Sequence, residues 1–323
     1  MHHETEFAYL LSPDGARKIT IAEALSWQPS SAHDKQQLWL HLNYQTPECK
    51  HHLSRLGLTA GDIRVLLSIS PRPRVQSTSS RLLICLRGIN LNPGHDPQDM
   101  IAIRIYQDKH RLISCGQRQL ASVKASINLL PELNPCEITP LLMTLCDQLT
   151  QRQTQYVDSL QDKLSQLEDL LSLNPNDSLH NDLNDLRRQA LACRRYLAPQ
   201  REALARLGNC DFPLAQTERN QLKDLNDSLV RMIEDLDLIR ELVKVNQDEL
   251  ASIAAGKLNQ RLYFLSIITS IFMPLGFLTG LLGVNIGGIP GTENHWAFAA
   301  FSGILGLLLI VQLWLIIHFK WLK

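Results

Sequence analysis

The sequence lacks the signatures of the common catalytic machines. It has no GxxxxGK[ST] loop to cradle a nucleotide, no HExxH zinc motif and no GxSxG nucleophile elbow. ATP-driven pumping within the chain and hydrolysis are therefore without machinery, and no enzyme is expected. It also lacks net charge, because 32 Lys and Arg balance 32 Asp and Glu, so no global basic field draws nucleic acid. None of its seven cysteines falls in a CxxC pair, and the number is odd. Reduced thiols in a cytosolic setting are expected, rather than a disulfide framework or a zinc ribbon. The N-terminus has no apolar stretch of signal-peptide type, so no cleaved leader is expected. Charge itself disappears towards the other end: from Leu262 to Phe319 the one charged residue is Glu293.

What fills that uncharged region is apolar. Two runs, Leu262 to Gly283 and Trp296 to Ile317, each have the length needed to cross a hydrocarbon core. A buried helix of a soluble protein would explain one such run, but not two in tandem. Lys257 and Arg261 precede the first run, Lys320 and Lys323 follow the second, and the connecting loop has no Lys or Arg. The positive-inside rule then places both termini in the cytoplasm of a multi-pass protein of the inner (plasma) membrane. Trp296, Trp314 and Trp321 fit interfacial belts in contact with lipid.

Within the first run, Ser266, Thr269, Met273, Gly276, Gly280 and Gly283 recur at steps of three and four, and Pro274 removes one backbone hydrogen bond. This row of small or polar residues has two readings. It could be a close-packing seam between helices. Alternatively it could line a path on a symmetry axis, which two spans per chain cannot enclose and which therefore requires an oligomer.

The loop reads Gly283-Val284-Asn285-Ile286-Gly287-Gly288-Ile289-Pro290-Gly291. A GxN triplet at the end of an apolar helix, between two terminal spans, resembles the CorA superfamily of divalent cation transporters. The following GG-I-PG resembles the zinc branch of that superfamily rather than the magnesium branch, whose loop typically carries GMN and then MPEL. Two further stretches support that branch: Arg87-Gly88-Ile89-Asn90-Leu91-Asn92-Pro93-Gly94 with Asp99-Met100, and Arg194-Arg195-Tyr196-Leu197-Ala198-Pro199-Gln200-Arg201. The spacing by itself assigns no role to Arg87-Gly88-Ile89-Asn90.

The resemblance implies a funnel-shaped homopentamer that carries divalent transition-metal cations, Zn2+ foremost, along one axial pathway. It leaves proton coupling open. Zn2+ would be the transported substrate, with no cofactor. Asn285 offers an amide carbonyl that can bind the water shell of a hydrated dication, while Gly287 and Gly288 leave backbone carbonyls approachable. The same residues also suit a tight turn in which Asn285 caps the helix. Glu293 and His295 would put carboxylates and imidazoles at an outer mouth, where imidazole suits zinc better than magnesium, or they are ordinary loop residues. Two rival functions stand beside zinc transport: a Mg2+/Co2+ channel of the CorA type, and a non-transporting membrane-tethered scaffold.

Upstream, residues from about Thr217 to Gly283 read as one helix, about 100 Å long if unbroken. Leu222, Leu225, Leu229, Met232, Leu236, Ile239 and Val243 form its apolar seam. On the row that continues the small-residue face, Asp227, Glu234, Glu241 and Asp248 recur in heptads. They read either as a solvated face or as part of the cation path, with Asp248 at the inner mouth as a metal-contacting residue. Residues Pro140–Leu171 and Ser178–Leu207 predict two antiparallel helices, the second bent or restarted at Pro199. Strands are predicted at Phe7–Leu11, Lys18–Ile21, Leu38–Leu42, Arg64–Ile69, Arg81–Leu86, Ile101–Tyr106 and Arg111–Ser114. The expected architecture is an α+β cytoplasmic head (1–135), a helical region and stalk (136–261) and a transmembrane hairpin (262–323). His2-His3 and His51-His52 lack partner ligands at a defined spacing and read as solvated.

Overall fold

The computed structural model describes residues 6–13, 15–29, 36–69, 71–90, 92, 94, 96, 98–133, 137–173, 177–283 and 295–318. They form two compact units, Met1–Gln247 and Asp248–Lys323.

The first unit is built on a seven-stranded sheet with strands β1 (Phe7–Ser12), β2 (Gly15–Ile19), β3 (Gln37–Asn43), β4 (Arg74–Ser77), β5 (Leu82–Gly88), β6 (Ile101–Gln107) and β7 (Arg111–Gly116). Their spatial order is β2-β1-β3-β7-β6-β5-β4, and only β3 and β7 run parallel. Strands β5 and β6 are buried along their whole length, as their nearly continuous apolar sequences require. Leu38, Leu40, Leu42, Leu83, Tyr106, Ile113 and Cys115 share one core with α2 (Pro47–Arg55) and α3 (Ala60–Leu66). Contacts from α5 (Ile138–Leu173) and α6 (Asp177–Gly208) cover β5 and its neighbours.

Two of the expected strands are corrected, and β4 is a strand the sequence does not predict. Arg64–Ile69 is not a strand, because Ala60–Leu66 is helix α3. Thr59 caps it, accepting the Asp62 N–H at 3.2 Å, and Ile63 and Leu66 turn one apolar side inward. A short apolar run carries no reliable period, so the cap decides. Strand β2 likewise stops at Ile19, because Thr20 and Glu23 form a capping box that starts α1 (Ile21–Ser26).

Helix α5 buries Leu160, Leu164, Leu167 and Leu171. Helix α6 continues through Pro199 without a break. Helix α7 runs from Gln216 to Leu282, 67 residues, and contributes to both units. The second unit contains its C-terminal part and α8 (Ala297–His318). Both helices are long and apolar enough to cross a membrane, and their apolar windows are 0% buried. The six cysteines among the described residues are unpaired and buried.

Candidate functional site

Helix α7 has two opposed faces. Its seam residues Leu222, Leu225, Leu229, Met232, Leu236, Ile239 and Val243 are buried. Asn246 donates to Glu168 at 3.2 Å and Gln247 to Asn184 at 2.9 Å, tying the helix to α5 and α6. Arg194 and Arg240 both reach Asp237, at 2.7 and 2.8 Å. Partial burial pushes the Asp237 carboxyl up, but the two guanidinium groups outweigh it and hold it below its ordinary value.

The opposite face is uncovered throughout. Asp227, Glu234, Glu241 and Asp248 are exposed. Leu238 and Val245, on the same row, are 54% and 57% exposed. Ser266, Thr269, Met273, Gly276 and Gly280 continue the row and are also exposed, Met273 at 72%. The less exposed positions of this stretch are instead Ile267, Ile271, Pro274, Leu275 and Leu278, and those of α8 are Ala297, Phe301, Leu305, Leu308, Gln312 and Ile316. Gln312 donates to the Ser270 carbonyl at 3.4 Å. The small-residue row is therefore not the seam between the two spans of one chain.

Two details give this row chemical character. Thr269 Oγ1 donates to the Leu265 carbonyl at 2.9 Å, so its hydrogen is engaged and its lone pairs remain free to accept. Gly283 closes the helix by donating to the Thr279 carbonyl at 2.9 Å. A Cβ at position 283 would stand 2.8 Å from that backbone oxygen, which cannot yield. His295 is exposed ahead of α8. Val284, Asn285, Gly287, Gly288 and Glu293 lie outside the described residues. No group of three or more His, Cys, Asp or Glu is arranged to hold a metal ion among the described residues.

The family described as CorA-like Mg2+ transporter protein matches residues 34–320, most of the chain. The chain belongs to the CorA family. That is a family of membrane transporters, not of enzymes. This CorA-family chain is 33% identical to the zinc transport protein ZntB of Enterobacter sp. (strain 638), over 98% of this chain and 95% of that protein. It is 34% identical to the divalent cation transporter CmaX of Pseudomonas aeruginosa, over 89% of this chain and 88% of that one. The solved structure of full-length CmaX matches with a TM-score of 0.81 at 30% identity, covering 99% of both chains.

The motifs 87–94 and 194–201 of this CorA-family chain meet in space. The Arg87 guanidinium donates to the Pro71 carbonyl at 3.1 Å and the Met100 carbonyl at 2.7 Å, and it lies 4.7 Å from the Tyr196 ring centroid. Its backbone is held by Gln153 of α5 and Gln200 of α6. Gly88 is closely packed, because a Cβ there would stand 2.8 Å from Leu120 and Leu149 methyls, which would have to shift. Asn90 is buried, and its Oδ1 accepts from Asn92 at 2.9 Å. Sequence reasoning singles out the motifs but not Gln153, Leu120 or Leu149 as their partners.

Proposed function

We propose that this protein carries divalent transition-metal cations, Zn2+ foremost, across the inner membrane along the axis of a homopentamer. The observation that supports this most directly is the uncovered row of α7. From Asp227 through Asp248 to Gly280 it presents carboxylates, then small and polar residues, and α8 covers none of the membrane part. Two spans per chain cannot surround a path, so copies of the chain arranged about an axis would bring these rows together. Ser266, Thr269, Met273, Gly276 and Gly280 then line the path. Gly283, Val284, Asn285, Gly287 and Gly288 form the selectivity loop, with Asn285 binding the hydrated ion. Glu293 and His295 stand at the outer mouth. Asp227, Glu234, Glu241 and Asp248 attract cations from the cytoplasm, where both termini lie, and Asp248 contacts metal at the inner mouth. In this reading residues 1–135 are the head, 136–261 the helical region and stalk, and 262–323 the hairpin.

The likeness to a zinc transport protein along nearly the whole chain supports Zn2+. The family description names Mg2+, which supports the second reading, a Mg2+/Co2+ channel. Flux of Zn2+, Co2+ and Mg2+ into proteoliposomes, with and without a pH gradient, separates the two and reveals any proton coupling. Zn2+ uptake is expected, and it should be abolished by Asn285→Ala in an oligomer that still assembles. Uptake of Mg2+ with no uptake of Zn2+ would overturn the zinc assignment. A detergent-corrected mass of five chains is expected; a monomer or dimer that still transports would overturn the axial path.

A further inference from the structure

In the head, Arg104 stands in the middle of β6 in the run Ile101–Gln107 and is 1% exposed. Its Nη2 donates to the Ser68 carbonyl at 2.8 Å, and its guanidinium carbon lies 3.9 Å from the Tyr44 ring centroid. Its Nε and Nη1 have no hydrogen-bond partner among the described residues. An arginine does not deprotonate in a protein, so this charge cannot be relieved by titration. The neighbours across the sheet are no counter-ions. Cys85 and Cys115 face Arg104 in register on β5 and β7. Burial pushes the Cys85 thiol up, and the Cys49 contact together with burial pushes Cys115 up, so both stay neutral.

Arg104 lines a cavity of about 220 Å³ with Tyr44, Arg87, Asp99, Gln117 and Arg118. Among the described residues that line it are three guanidinium groups and one carboxylate. That carboxylate is engaged, because Asp99 pairs with Arg118 at 2.8 Å. The Arg87 guanidinium, which donates to the Pro71 and Met100 carbonyls, adds further positive charge to the cavity wall. The cavity is smaller than the sites that hold drug-sized ligands. Buried charges are ordinarily paired, and guanidinium forks match oxoanions in two-point fashion.

We propose that this cavity binds a small multivalent oxoanion of phosphate size, held by Arg104 at its buried wall and Arg118 at its rim. The anion supplies the acceptors that Arg104 lacks and links β6 to the segment after β7. This site is on the sheet of the head and is independent of the cation path.

The test uses the full chain in detergent, in metal-free buffer at fixed ionic strength, with inorganic phosphate as the probe and chloride as the control. Equilibrium dialysis with labelled phosphate is expected to show saturable, stoichiometric binding per chain, and the thermal midpoint should rise with phosphate but not with chloride. Arg118→Gln, at a partly exposed position, should weaken phosphate binding about tenfold through loss of one charge-assisted contact. Arg104→Met should abolish phosphate binding, and its midpoint without phosphate should equal or exceed that of the parent. Sulfate in place of phosphate should compete. Equal midpoint shifts with chloride and phosphate, or no saturable binding, would overturn the proposal. So would unchanged binding in Arg118→Gln, a variant that decides the matter even where Arg104→Met does not fold.

Discussion

The backbone N–H of Arg87 donates to Gln200 Oε1 at 2.8 Å, across 113 residues of chain. Gln153 Nε2 donates to the Arg87 carbonyl at 2.6 Å, and Gln200 Nε2 donates to Gln153 Oε1 at 3.0 Å, which closes a ring. The reason lies in the register of the sheet. Strand β4 pairs with β5 only as far as Arg74 opposite Cys85, so it does not reach Arg87. On the other side, Arg87 pairs with Ala102 of β6. One buried peptide edge is left without a neighbouring strand, and a buried backbone group must find a partner. Two glutamine amides, one from each long helix, take the place of the missing strand residue. The sheet and the helices α5 and α6 are thereby locked at one point.

Gln200→Ala leaves the Arg87 N–H and the Gln153 Oε1 buried without partners, at a cost of about 1–3 kcal/mol each. The expected outcome is a thermal midpoint several degrees lower and faster hydrogen exchange at the Arg87 amide, with the rest of β5 less affected. Parent-like exchange at that amide would show that the ring does not hold the strand.

Gly88 is the next residue, and its hydrogen faces Leu120 and Leu149. Gly88→Ala is expected to destabilise by roughly 1–3 kcal/mol, because the two methyls at 2.8 Å must both move. Leu149→Ala should partly rescue it, so the double variant loses less than the sum of the singles. Strict additivity of the two losses would argue against this contact.

His41 is buried, stacks on Phe7 at 4.9 Å and meets Ser114 Oγ at 2.7 Å. Burial lowers its pKa to about 4, so the folded protein holds it neutral. Between about 6.5, its value when unfolded, and about 4, the unfolded chain binds a proton that the folded one refuses. This contribution is fully present above that window and is lost as pH falls through it, by about 3 kcal/mol in all. His41→Gln should flatten the fall in thermal midpoint over that window relative to the parent. Parallel curves for the two proteins would show that His41 does not titrate in this way.

Much of this was legible because its signals are local. The seam Leu222 to Val243 and the leucines of α5 repeat at helical spacing, and the structure buries them. Each apolar run, apart from Gly283 and Trp296 at its edge, lies within a single helix, α7 or α8. Helix α3 was missed because an apolar run of that length fits either period, although Thr59 with Asp62 marks a cap. The Arg87 ring could not be read at all. It depends on where β4 stops and on two glutamines that carry no pattern. Arg104 left a faint trace, as the one charge in the strand Ile101–Gln107. An arginine flanked by isoleucines in a strand buried on both faces is worth questioning from the sequence alone.

Asp248 is exposed on the face of α7 opposite the buried seam, in the row that also exposes Val245, Glu241 and Leu238. In the proposed oligomer it is the last carboxylate of that row before the membrane segment, and its copies about the axis would attract dications. Asp248→Asn keeps the shape and removes the charge. Because the side chain is exposed, the substitution should cost little stability, and a merely solvated residue would change nothing else. An attracting role predicts slower Zn2+ flux, with the deficit largest at low ionic strength and shrinking as salt shortens the Debye length. The contrast with Asn285→Ala is informative, since loss of an amide that contacts the hydrated ion should not be restored by salt. Flux of Asp248→Asn equal to the parent at both low and high salt would return this carboxylate to the solvated face of a stalk. A uniform loss independent of salt would leave the proposed metal contact standing and remove the long-range attraction.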